Sequence, residues 1–105
     1  MVNQSIQNTI KATVHSVIPD ARVLLFGSMA RGDANKDSDY DVLVIIPKTL
    51  PPREKLGWRS KIQKALVYAL DASVDVLLNS EEEVQRKKAI FGHIISAAVE
   101  EGVEL

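Results

Sequence analysis

Apolar side chains recur along the first segment at Ile6, Ile10, Val14 and Val17, a spacing that holds them on one helical face. Asn3 or Ser5 can cap its start, and Pro19 after Ile18 supplies a stop. The pattern then changes. Ala21 to Phe26 (ARVLLF) has almost no polar alternation, which predicts a short strand covered on both faces, and it ends abruptly at Gly27. Residues 27–38, GSMARGDANKDS, have turn composition with room for one helical turn over Ser28 to Arg31; Asp33, Asn35, Asp37 and Ser38 read as turn residues. Asp39 to Ile46 (DYDVLVII) is a second strand, ended by Pro47. Its front half places Asp39 and Asp41 on one face and Tyr40 and Val42 on the other.

Leu50-Pro51-Pro52 opens the longest helix, Pro52 to Leu70, since prolines suit a helix start and not its interior. Leu56, Ile62, Leu66 and Leu70 give an imperfect inward stripe, and the basic residues Arg53, Lys55, Arg59, Lys61 and Lys64 read as a solvated face, the alternative being a basic rim that attracts an anionic substrate or partner. Ser73 to Leu78 is a third strand. Ser80 followed by Glu83 has the form of a capping box and opens a short helix over Glu81 to Lys88. A last helical stretch runs from Ala89 to Glu101, with Gly102 as its C-cap and Val103-Glu104-Leu105 free to pair on a sheet edge. The order α-β-turn-β-α-β-α-α predicts an α/β (α+β) fold: a small mixed β-sheet of three or four strands with helices packed against it.

The chain has 105 residues and 46% apolar composition, enough for one core, so residues 1–105 are expected to form a single domain. A formal charge of -1 gives no domain-wide cationic footprint, and no direct nucleic-acid binding is expected. The absence of cysteine excludes disulfides, thiolate metal sites and thiol nucleophiles. The polar start, with Asn3, Gln4, Ser5, Gln7 and Asn8, lacks a secretory pattern, and the longest apolar run, Val42 to Pro47, is too short for a membrane span. A cytoplasmic protein is expected. His15 and His93 read as ordinary helix residues, and Tyr40, Trp58, Tyr68 and Phe91 as core or core edge.

The candidate chemistry lies between Gly27 and Asp75. Asp39 and Asp41 stand at i and i+2 on a strand, so both carboxylates point the same way. Two acids side by side raise each other's pKa, and a hard cation between them relieves that conflict. Oxygen donors without cysteine or a histidine cluster favour Mg2+ or Mn2+ over zinc. Asp75, between Val74 and Val76 near the front of the third strand, completes the set if that strand lies beside the second. Before the pair, Gly27 lets backbone approach a ligand, Ser28 offers a hydroxyl and an N–H to a phosphate oxygen, and Arg31 and Lys36 are local cations. Carboxylates for a divalent ion beside a Gly-Ser phosphate cradle suit a nucleoside triphosphate.

Gly27-Ser28 followed after ten residues by Asp39-x-Asp41, within GSMARGDANKDSDYDVLVII, resembles the signature of the DNA polymerase beta-like nucleotidyltransferase superfamily. The resemblance covers essentially the whole chain, and its size is similar to that of the minimal nucleotidyltransferases often paired with a HEPN-domain protein. It implies that Gly27 and Ser28 contact the triphosphate, that Asp39, Asp41 and Asp75 hold Mg2+, and that Asp75 helps to deprotonate the acceptor hydroxyl. Arg31 matches the arginine after the turn, and the tail EEGVEL resembles the end of these domains. The implied activity is transfer of AMP from ATP to a tyrosine of a HEPN toxin partner, which makes the chain an antitoxin. The alternatives are a stoichiometric binding antitoxin with a relic nucleotide site, and a transferase for a small hydroxylated compound such as an aminoglycoside. With no chain left for an acceptor domain, the acceptor is expected to arrive on another polypeptide or across a homo-oligomer.

Overall fold

The computed structural model describes residues 3–32 and 39–105; the turn expected over Asp33 to Ser38 lies outside the described residues. The elements are α1 (Gln4–Val17), β1 (Arg22–Phe26), α2 (Gly27–Arg31), β2 (Tyr40–Ile46), α3 (Pro52–Leu70), β3 (Val74–Ser80), α4 (Glu81–Lys87), α5 (Ile94–Glu101) and β4 (Val103–Glu104). The strands form one sheet in the order β3-β2-β1-β4. β1 pairs antiparallel with both β2 and β4, whereas β2 and β3 run parallel, joined by α3 as the crossover helix. This is the mixed α/β sheet expected, and the tail does add the fourth, edge strand.

Helices cover both faces. Ile10 and Val14 of α1 and Ile62 and Leu66 of α3 pack on Val23, Leu25, Val42, Val44, Val74 and Val76, forming the larger core. On the other face, Val84 of α4 and Ile95 and Ala98 of α5 close over Leu24, Phe26, Leu43 and Ile45. Strands with helices on both sides need apolar side chains at every position, which is why β1 and β2 lack alternation.

The local signals of the chain are largely realised. Asn3 caps α1, its side chain accepting a hydrogen bond from the Ile6 N–H. Ser80 and Glu83 form the reciprocal capping box of α4. Four expectations need correction. Leu56 is exposed, because the inward face of α3 continues from Ile62 to Arg59 and Lys55 instead. Arg59 Nε donates to the Val76 carbonyl at 2.8 Å, and Lys55 Nζ to Glu83 at 2.8 Å, so these two cations are not a solvated face. Tyr68 and Phe91 stand exposed rather than in or beside the core. The last helix begins at Ile94, not Ala89: Gly92 takes φ +80°, and His93 Nδ1 accepts from the Ile95 N–H as the N-cap.

Candidate active site

The acids gather at one end of the sheet. Asp41 stands in register with Asp75 across the parallel β2–β3 pair and with Phe26 across the antiparallel β1–β2 pair. Cross-strand partners in register project from the same face, so the Asp41 and Asp75 carboxylates lie side by side. The alternation of β2 sets that face: Val42 and Val44 turn toward α1 and α3, so Asp41 follows Leu43 and Ile45 toward α4 and α5. Asp39 precedes β2 by one residue and is exposed, whereas Asp41 is half-buried. Burial pushes the Asp41 carboxyl above its ordinary value, and the negative charges of Asp75 and Asp39 push it further, with Arg31 opposing. Asp39 and Asp75 thus both act on Asp41 through space.

Gly27 follows the last residue of β1, at φ +75°, and opens the single turn of α2. A Cβ on Gly27 would stand well inside van der Waals contact of Asp41 Oδ2 and 3.1 Å from Asp41 Cγ. The bare glycine is therefore what leaves room for the Asp41 carboxylate. This room for Asp41 adds to the reason expected from the sequence, close approach of a ligand. Ser28 is partly buried in the same turn, and Met29 and Ala30 anchor the turn to the core. Arg31 pairs with Glu101 of α5 at 3.1 Å, which ties the turn to the last helix.

Among the described residues, no three carboxylate or imidazole side chains converge into a ready-made metal shell. The donor set still fits Mg2+ or Mn2+. Such ions keep several waters and are held by one or two carboxylates together with a substrate's phosphates, and two adjacent carboxylates strained by mutual repulsion provide the protein's share.

Two depressions lie at opposite ends of β2. One has a cavity volume of about 520 Å3 and is lined by Asp39 and Asp75, by Gln63 and Val67 of α3, and by residues 71–74. The other, of about 260 Å3, is an apolar hollow among Val17, Ile18, Ile46, Leu50 and Trp58 at the far end of β2, and none of the acids reaches it. The chemistry belongs with the first. Gln63 and Asp71 were not singled out in the sequence; only a register placing the end of α3 beside the acids makes them visible.

The nucleotidyltransferase domain family matches residues 7–103. The chain belongs to that family. A curated relative from Methanocaldococcus jannaschii, named "Putative protein adenylyltransferase", is 33% identical over 99 residues, covering 90% of each chain. Solved structures share the fold of this nucleotidyltransferase at lower identity. A toxin–antitoxin with AMP-PNP superposes with a TM-score of 0.70 at 24% identity, covering 93% of this chain and 70% of that one. A protein described as a "putative minimal nucleotidyltransferase" gives 0.68 at 22%, covering 100% and 97%. A tri-AMPylated Shewanella oneidensis HEPN toxin in complex with its MNT antitoxin gives 0.61 at 23%, covering 96% and 69%.

No helix of the nucleotidyltransferase is long and apolar enough to cross a membrane, among the described residues.

Proposed function

We propose that this nucleotidyltransferase moves AMP from ATP onto a tyrosine of a HEPN-domain toxin, and thereby acts as its antitoxin. The observation that carries the reading is the register of Asp41 with Asp75 at the strand ends, directly beside the Gly27–Ser28 turn. The name of the archaeal relative and the toxin–antitoxin complexes among the structural neighbours support the class of acceptor.

Each residue has a role in this reading. The Ser28 hydroxyl and the backbone of the turn hold oxygens of the triphosphate, with Gly27 keeping the turn clear of Asp41. Arg31, anchored by Glu101, adds positive potential beside the phosphates. Asp39, Asp41 and Asp75 would hold the divalent ion, which when bound neutralises charge on the triphosphate and on the transferred group. The acceptor oxygen attacks the α-phosphorus, and the bond from that phosphorus to the oxygen bridging the β-phosphate breaks. Pyrophosphate leaves with the electron pair, and Asp75 takes the phenolic proton before passing it to water. The steps need alignment and electrostatic support more than a covalent group on the enzyme.

The test is incubation with ATP labelled at the α-phosphate and Mg2+, with and without a HEPN-domain partner, followed by mass spectrometry of every chain. AMP on a partner tyrosine is the expected product. A partner that is neutralised yet carries no AMP would overturn the transfer reading.

A further inference from the structure

The groove beside Asp75 has an electrostatic character that the reaction alone does not require. Its walls carry three carboxylates, Asp39, Asp71 and Asp75, with Gln63, Val67 and Ser73, and among the described residues no Lys or Arg lines it. It also receives the negative end of a 19-residue helix: α3 finishes at Leu70, its last turn holds no basic residue, and Asp71 closes it in the left-handed conformation at φ 49°. Gln63 Oε1 is buried and accepts no hydrogen bond from any described residue, an arrangement that costs free energy until a donor arrives.

The position of the groove decides which substrate it meets. α2, which carries the phosphate-binding turn, packs on β1, β2 and α5. The groove lies on the other side of the acids, between α3 and the start of β3, which is the sheet's outer strand. In phosphoryl-type transfer the attacking and leaving oxygens stand roughly in line. With the leaving pyrophosphate at Gly27 and Ser28, the attacking hydroxyl enters from the side of Asp75.

We infer that this groove receives the acceptor segment and selects a polypeptide with positive charge beside its hydroxyl, with Gln63 and Asp71 as positioning residues. The inference rests on the transfer reading above. A divalent ion would engage Asp75 together with Asp39 and Asp41, which leaves Asp71 and the α3 terminus to choose among acceptors. Gln63 turns its amide to accept a donor from the incoming segment. Asp71 and Gln63 touch neither the nucleotide nor the reacting phosphorus.

The experiment uses the full chain with ATP and Mg2+ and two tyrosine peptides of equal length, one flanked by lysines and one by glutamates. The lysine peptide should be labelled with kcat/KM higher by on the order of tenfold or more at low salt, and the gap should narrow at about 0.5 M salt. Asp71→Asn, which the left-handed position tolerates, should cut that preference roughly two- to fivefold through the KM for peptide, leaving the KM for ATP unchanged. Gln63→Leu should raise the peptide KM for both peptides, while Gln63→Glu should widen the preference for lysine. Equal labelling of the two peptides, or a preference untouched by Asp71→Asn and Gln63→Glu, would overturn the inference and leave transfer standing. Labelling of a folded HEPN partner with neither peptide labelled would overturn it too. If no acceptor of any kind is labelled, the transfer reading itself falls.

Discussion

Gly27→Ala is the substitution whose consequences the structure specifies most closely. Two costs follow from the geometry. The residue sits at φ +75°, where a Cβ costs about 1–2 kcal/mol. The new methyl also collides with the Asp41 carboxylate, the end of a short side chain that can only rotate out of its rotamer, at about 0.5–1.5 kcal/mol. Reduced freedom of the unfolded chain returns about 0.4–1 kcal/mol. The net loss is roughly 1–2.5 kcal/mol, or a fall in Tm of roughly 5–12 °C for a domain of this size. Function should suffer far more than stability, because a carboxylate displaced by about 1 Å can cost on the order of a hundredfold in rate. Ser28→Ala, which removes one hydroxyl and keeps the backbone N–H, should be the milder lesion. Gly57→Ala is the control: no atom lies within 4 Å of its Cβ, and in the interior of α3 it should stabilise by about 0.5–1 kcal/mol with transfer unchanged. Scanning fluorimetry paired with single-turnover transfer reads both quantities. A Gly27→Ala protein with wild-type Tm and wild-type rate would refute the reasoning, since neither the strain nor the need for a fixed Asp41 would then be real.

Asp41→Asn should melt at or above wild type in EDTA, by about 0.5–2 kcal/mol, because it removes a half-buried charge crowded by Asp75 and Asp39; added Mg2+ and ATP should shrink or reverse the gain. The sign with pH agrees: a carboxyl raised in the folded state favours folding at low pH and loses that favour as pH rises through its folded pKa, so the Asp41→Asn advantage should vanish on acidification. Glu83 behaves oppositely. Burial disfavours its charge, but the Lys55 and Ser80 hydrogen bonds and the charges of Lys55 and Lys87 prevail and hold it below its ordinary 4.5. Its side chain is only 12% exposed. Glu83→Gln should therefore cost about 1–2 kcal/mol near neutrality, with the difference from wild type in urea melts fading as pH falls below the ordinary value and through the lowered one.

Periodicity and punctuation made most of the fold legible. Three β-prone runs ended by Gly27, Pro47 and the Ser80 cap read as strands between helices, and the i, i+2 pair at Asp39 and Asp41 marked the strand end where the acids gather. That Asp75 stands beside Asp41 depended on strand order, which follows from the α3 crossover and not from any local signal. Leu56 misled because hydrophobicity was followed where the α3 face had passed to Lys55 and Arg59, whose charges are satisfied by Glu83 and a strand carbonyl. Tyr68 and Phe91 carry no periodic signal separating a core aromatic from an exposed one. Gln63 and Asp71 acquire meaning only in three dimensions, from the orphaned amide oxygen and the helix end that share a groove with the acids.

The proposed site joins the Gly27–Ser28 turn to Asp41, whose carboxylate fills the space a Cβ on Gly27 would take, and to Asp75, its register partner on β3. The most direct measurement is a crystal structure with Mn2+ and an ATP analogue whose α–β bridge cannot be cleaved, located by anomalous scattering. A manganese peak is expected within bonding distance of both Asp41 and Asp75, with phosphate oxygens on the Ser28 hydroxyl and the backbone of the turn. A nucleotide bound in the apolar hollow beside Trp58, or manganese bound away from Asp41, would contradict this site.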